Sequence, residues 1–300
     1  MRRNILHNYR IFLVILFAMI SKFGFSSPQL PDYLIFKGDT IPVYNLILED
    51  YFRQINQTDQ GDLFGLKFRD GASFNCWRGY QAVYEIDNDS LFLTHILSCW
   101  ELNDNSDSLD IDESNRRLKT IFSDKVNNGR VFIDWFTDKI SIPNGKLLRW
   151  DGVFYNIFEN EILVSIDKGK VIETMELENY EDKPNGINRR FNDTISSIIF
   201  NELKNVKWRN IDIFDCSESY LITIGEKGKV SSVVMSEYQT KEQINEFWDK
   251  REYNYCIRKI KSELKDLRFD IINHQGKPYI ERVYIEIWIE DDGKIENWTN

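Results

Sequence analysis

Apolar and polar positions alternate in short runs from about residue 30 onward, which is the period of half-buried strands. The segment PDYLIFKGDTIPVYNLILEDYF reads as a strand, a turn at KGD, a second strand and a short helix or irregular segment. RGYQAVYEI and LFLTHILSC alternate as two strands about the turn DNDS at 87–90. From Val131 the runs VFIDWF, KISI, LLRW, VFYNIF, EILVSI and KVIETMEL are separated by TD, PNG, DG, EN and DKG. Asn144-Gly145 and Asp151-Gly152 are strong hairpin signals, because a type I′ turn needs positive φ at both central residues. These runs predict an antiparallel, β-rich meander over 27–179. The acidic stretch NDNSDSLDIDESN at 103–115 breaks the pattern and reads as a solvated, exposed loop. YEDKPNGINRRFND at 180–193 has no periodicity and carries Pro184 and Gly186, which marks it as a linker.

Beyond the linker the period changes. Ile195, Ile198, Ile199, Leu203 and Val206 share one helical face, and YLITIGEKGKVSSVVM then forms a hairpin turning near Gly228. Thr240 and Gln243 compose a capping box for a helix through INEFWDKREY. Cys256, Ile257, Ile260, Leu264 and Leu267 line a second amphipathic helix. Val283, Ile285, Ile287 and Ile289 then alternate with Tyr284, Glu286, Trp288 and Glu290, ahead of a turn at Asp292-Gly293. The heptapeptide ELKNVKW at 202–208 returns as ELKDLRF at 263–269, 61 positions later. The hairpins align at an offset of 65, with Ile222 on Ile287 and Gly228 on Gly293. A repeat that preserves apolar face positions is a folding unit. Residues 194–300 are therefore expected to form a small α+β domain of two helix–hairpin units, with helices on one face of an antiparallel sheet. The fold class of the whole chain is α+β.

Composition adds a compartment. Arg2, Arg3 and Arg10 precede the apolar run Ile11–Ile20, with small residues at Gly24 and Ser26, which is a secretory signal pattern over 1–26. Ten apolar residues are too few to span a bilayer, so no membrane span is expected in the mature chain. Cleavage removes four basic residues and no acidic one, leaving 34 basic against 48 acidic, a net charge of −14. That charge repels nucleic acid and anionic membranes, which excludes both as expected partners. Cys76, Cys99, Cys216 and Cys256 form an even set in an exported chain, which predicts disulfides among three connectivities. In a symmetric hairpin Cys99 faces Arg78, two residues from Cys76, so a small register adjustment or bulge closes a Cys76–Cys99 bridge. Cys216 with Cys256 then gives one pair per domain.

The hairpin with its turn at Gly228, the run Leu264–Phe269, the Gly276-Lys277-Pro278 segment and the alternating strand Val283–Ile289 resemble the C-terminal domain of the TonB family over about residues 215–290. The resemblance implies a short sheet packed on helices, a bacterial envelope location, and action by protein–protein contact, often through an added strand. The chain departs from the family's energy transducers, which puts that role in doubt: it has six prolines in all, and a β-rich domain stands where a TonB transducer carries a proline-rich spacer. ESY also replaces the family's Tyr-Pro segment before the hairpin.

Catalytic chemistry has little support in the residues. His95 and His274 are the only histidines beyond the signal, and neither has a partner at metal-ligand spacing, so no metal or cofactor is expected. Asp104, Asp107, Asp110 and Asp112 lack the glycine and terminal glutamate of a calcium loop. No phosphate-cradling loop or nucleophile elbow is present. Trp77, Trp100, Trp135 and Trp150 on short strands are expected in the core, with a sugar-stacking platform as the other reading. The strand bearing Val283, Ile285, Ile287 and Ile289 is the candidate partner-binding strand, by addition of an extended peptide if it lies at a sheet edge. The expected function is thus an exported, non-enzymatic envelope protein, periplasmic or associated with the outer envelope, acting by protein interaction or structurally. The alternatives are a glycan- or peptide-binding module and an acidic immunity or inhibitor protein that meets a basic partner.

Overall fold

The computed structural model describes residues 29–57, 64, 72–99, 101, 110–150, 154–206, 208, 213–290 and 292–299. The expected signal segment, most of the acidic stretch, Trp100 and the Asp151-Gly152 turn lie outside the described residues. The fold is α+β, with predominantly antiparallel sheets and a β-rich N-terminal part. It divides into two compact units. The first comprises the chain to Asp138 with Trp150–Tyr155 and Ile166–Val171, and the second Lys139–Arg149, Asn156–Ser165 and Ile172–Asn300. Much of the expected meander therefore belongs to the second unit, because the period of a strand does not say which sheet it joins.

In the first unit, strand Asp32–Phe36 turns through Lys37-Gly38 into Asp39–Val43. Both turn residues have positive φ, as a type I′ hairpin requires. Asp32–Phe36 also pairs with Tyr80–Asp87, and this contact is parallel, with Tyr33 opposite Val83. A parallel neighbour needs a crossover rather than a tight turn. Helix α1, Ile47–Gln54, lies within that connection and buries Ile47, Leu48 and Phe52. Tyr80–Asp87 pairs antiparallel with Ser90–Ser98 about Asn88-Asp89. The acidic stretch ends differently from the expectation. Asp110 accepts the Glu113 N–H and caps helix α2, Ile111–Phe122, so 111–115 are helical rather than loop. Asp112 and Glu113 sit in the first turn, where acidic side chains favour the helix dipole. The buried Ser114 and Arg117 of α2 bond the backbone N–H and carbonyl of Ile96.

Asn144-Gly145 does not make a tight hairpin. Strand Asp138–Pro143 lies beside Asn160–Asp167, and Leu147–Trp150 beside Asn156–Phe158. Asn144 N–H donates to Asn160 O at 2.9 Å and Glu159 N–H to Lys146 O at 2.7 Å. The later strand thus satisfies the backbone around the dipeptide, and Gly145, at φ +158°, is not in the left-handed conformation of a type I′ turn. The turn that does close is Lys168-Gly169, between Asn160–Asp167 and Lys170–Glu178.

The expected linker 180–193 is built into the second unit. Tyr180–Glu181 pairs antiparallel with Ile271–Ile272, Ile187 bridges Phe269, and Arg189 is 1% exposed. Side-chain and backbone hydrogen bonds, rather than an apolar period, hold this segment, so the hydrophobic pattern does not register it. A four-stranded sheet follows in the order Val230–Met235, Glu218–Ile224, Glu281–Ile289, Ile295–Asn297. Helices α3 (Asp193–Lys204), α4 (Lys241–Phe247) and α5 (Lys250–Glu263) accompany it, and α3 and α5 contribute Ile195, Ile199, Leu203, Cys256 and Ile260 to its core. The capping box at Thr240 and Gln243 is formed.

The internal echo is structural. Leu203 and Leu264 are both fully buried, as are, nearly so, Trp208 and Phe269. The two central strands pair Glu218 with Ile287, Tyr220 with Ile285 and Ile222 with Val283. At the sequence offset of 65, Tyr220 is equivalent to Ile285. The helix–hairpin units are therefore related by a local pseudo-two-fold axis through that pair. The turns obey the same relation. Gly228, at φ +64°, packs on the carbonyl of Phe269 and accepts its N–H at 2.8 Å. A Cβ on Gly293, at φ +79°, would lie 3.1 Å from the carbonyl of Trp208, the residue equivalent to Phe269.

Candidate functional site

The second unit has a buried ionic centre. Glu281, at the start of its strand, accepts from Arg149 Nε and Nη2 and from Arg189 Nη2 at 2.7 Å and Nε at 3.1 Å. Arg149 Nη1 also donates to Arg189 O, and Arg189 Nη1 to Asp270 O. Asp270 in turn accepts from Tyr180 O–H at 2.7 Å and Lys183 N–H at 2.9 Å. Burial pushes the Glu281 carboxyl up, but the two guanidiniums outweigh it and hold the group below the usual carboxylate range. Burial and the hydrogen bond to Asp270 push the Tyr180 phenol up to about 12. Every charge here is answered by a neighbour, so the centre fixes the geometry of the segments around it.

The open face of the four-stranded sheet is chemically different. Val283, Ile285 and Ile287 point into the core, so Arg282, Tyr284, Glu286 and Trp288 point away from it. Trp288 and Trp298 stack with centroids 5.3 Å apart and an interplanar angle of 19°. They remain 44% and 49% exposed, and Tyr284 42%. Leu221, opposite Tyr284, and Val234, opposite Leu221, continue the apolar strip. Two carboxylates rim the tryptophan end: Glu286 accepts from Tyr284 O–H at 2.8 Å, and Glu296 from Trp298 Nε1 at 3.1 Å. Burial, then the Glu286 carboxylate, push the Tyr284 phenol up. Lys294 is paired with Asp292, and Arg282 sits at the far end of its strand. The surface offers flat aromatic area next to negative charge, which suits an apolar and cationic counterpart.

This face is the complement of the strand residues singled out from the sequence. Val283, Ile285 and Ile287 are buried, Ile289 packs on the same core, and the strand has neighbours on both sides. Glu218–Ile224 pairs along one side of the strand and Ile295–Asn297 covers Ile287–Ile289 on the other, so those three positions form no free edge. The hairpin through Asp292-Gly293 returns Ile295–Asn297 against Ile287–Ile289, and Trp298 N–H reaches Glu286 O. The alternation that marked the inward residues also marked Tyr284 and Trp288 as outward. Trp298, beyond the last strand, carried no such signal.

The other candidates divide. Both disulfides form, Cys76–Cys99 with Cα atoms 6.2 Å apart and Cys216–Cys256 with 5.5 Å. The hairpin bulge at Val83/Tyr84 places Gly79, not Arg78, in line with Cys99. A turn in which Gly79 N–H donates to Cys76 O then folds Cys76 back to its partner. Trp135 stacks on Phe122 at 5.4 Å and donates to Ile47 O, as a packing residue does, whereas Trp77 and Trp150 are partly exposed. His95 and His274 lie in different units, and burial lowers the pKa of each. Among the described residues no three His, Cys, Asp or Glu side chains are grouped to hold a metal. No helix among them is long and apolar enough to cross a membrane. Comparison with protein-family models, curated proteins and solved structures finds no match for this chain.

Proposed function

We propose that the chain is an exported interaction protein of a bacterial envelope, and that the open sheet face of its C-terminal unit docks a basic protein partner. The observation that carries this reading is the exposed Trp288–Trp298 stack with Tyr284, set beside Glu286 and Glu296. Large rigid aromatics on a flat surface are the residues that dominate interface energies. The adjacent carboxylates favour arginine or lysine on the partner. Two disulfides support an oxidising compartment. The succession of hairpin, helix α5 and strand Glu281–Ile289 supports a TonB C-terminal-like unit, and such units act by protein contact.

The test is capture from solubilised envelope at low and high salt, with wild type beside Trp288→Ala and Glu286→Gln. A partner that is retained by wild type, weakened by salt and lost with both variants supports the reading. A partner held equally by all three sinks it. Retention of soluble glycans with loss only in Trp288→Ala would transfer the face to sugar binding.

A further inference from the structure

A second surface of the C-terminal unit has the opposite charge. Phe214, Lys250, Arg251, Asn254, Tyr255 and Arg258 line an open pocket of about 420 Å³. Its position follows from the chain. The Cys216–Cys256 bridge ties the 213–217 segment to helix α5, which puts Phe214 beside Tyr255 with ring centroids 4.8 Å apart at 26°. Glu252 accepts Asp215 N–H at 2.7 Å and fixes the same segment from the helix side. Asn254, Tyr255 and Arg258 then follow on consecutive turns, with Arg258 Nε held by Asn254 O at 2.9 Å.

The nearby carboxylates take their described hydrogen bonds from backbone N–H groups rather than from these cations. Asp249 caps α5 through the N–H groups of Arg251 and Glu252, Asp215 accepts Ser217 N–H, and Glu252 holds Asp215 N–H. Lys250, Arg251 and Arg258 are exposed and make no ion pair with a described residue. Three cations therefore surround an aromatic wall in a chain whose net charge is −10. All three are exposed and line the same pocket, so a single anion can meet them together.

We infer that this pocket binds a small anionic sugar, with the phosphate or carboxylate between Arg251, Arg258 and Lys250 and the ring against Phe214 and Tyr255. Guanidiniums bind phosphate through paired, charge-assisted hydrogen bonds, and an aromatic wall accepts the apolar face of a pyranose. Polymeric nucleic acid and an anionic bilayer present many charges to the whole acidic chain and are repelled, whereas a single small anion meets only the local field. The inference is independent of the sheet-face reading, because the two surfaces share no residue.

The experiment is calorimetric titration of the purified protein with glucose 6-phosphate, glucose and inorganic phosphate, and sedimentation with phosphatidylcholine vesicles containing phosphatidylinositol. Saturable binding of glucose 6-phosphate is expected, at least about tenfold weaker in Arg258→Ala and in Arg251→Ala and weakened by salt. Phe214→Leu should weaken glucose 6-phosphate severalfold and leave inorganic phosphate unchanged. All three side chains are at the surface, and an unchanged near-ultraviolet circular dichroism spectrum checks the fold. Sedimentation with the vesicles would place the same headgroup chemistry on a lipid, and its absence on a free sugar. No saturable binding, equal affinity for inorganic phosphate, or affinity within twofold of wild type in Arg258→Ala would overturn the inference.

Discussion

Glu281 is the side chain whose charge the buried centre of the second unit depends on. It answers two buried guanidiniums, and removing its charge leaves both without a counter-ion. Glu281→Gln is expected to cost about 3–5 kcal/mol in urea unfolding, as for other broken buried pairs. A loss below about 1 kcal/mol would show that water or a rearranged Asp270 replaces it. The pH dependence follows in sign. The folded-state pKa of Glu281 is lowered, so its contribution is present above the ordinary carboxylate value of about 4.3 and is lost as pH falls through the lower folded value. Asp32 in the first unit behaves oppositely. Burial raises its pKa despite Arg78, so its ionisation costs folded-state stability, and that cost disappears as pH falls. Acidification from pH 6 toward 3 is therefore expected to release amide exchange in Glu218–Ile224 before Tyr80–Asp87; the reverse order would contradict the assignment. Gly228→Ala is a third test. The new Cβ would collide with the Phe269 carbonyl at positive φ, whereas Gly276, also at positive φ, has open space around it. Thermal unfolding should show a loss of about 2 kcal/mol or more for the first and clearly less for Gly276→Ala.

Legibility changes from element to element for physical reasons. The hairpins at Lys37-Gly38 and Lys168-Gly169 and the inward face of Glu281–Ile289 were readable because their signals are local: a turn needs φ > 0, and a half-buried strand needs period 2. The repeat was readable because equivalent core positions, Leu203 with Leu264 and Trp208 with Phe269, demand similar side chains. Helix α2 was missed because its first turn is the end of an acidic run, and its apolar face begins only at Leu118. Asn144-Gly145 misled because its flanking strands pair with Asn160–Asp167 and Asn156–Phe158 rather than with each other. Segment 180–193 misled because Arg189 and Tyr180 are buried by ionic and hydrogen-bonded neighbours that lie 81–92 residues away in sequence. Of the candidate interaction face, Tyr284 and Trp288 were implied by alternation, whereas the stacking of Trp298 depends on the return of the last strand. The disulfides can be tested at this scale. Replacing Cys216 and Cys256 by serine should lower stability by about 2–4 kcal/mol in denaturant unfolding. It should also release Phe214 from Tyr255, read as a change in near-ultraviolet circular dichroism.

The two exposed features of the C-terminal unit set the character of the molecule as a whole. An aromatic strip with two carboxylates occupies the open face of the sheet, and a cationic pocket is built on helix α5. Neither is required by the core: Ile222, Ile285, Ile287 and Ile260 are buried without them. Two stacked tryptophans left at nearly half exposure on the sheet are the observation on which the proposed docking face rests. The most direct measurement is the affinity of the captured partner for Trp288→Ala, taken with that variant's unfolding midpoint. An unchanged midpoint is expected, with a loss of affinity of about thirtyfold, equivalent to about 2 kcal/mol. Unchanged affinity, or a loss of stability that accompanies the loss of binding, would contradict it.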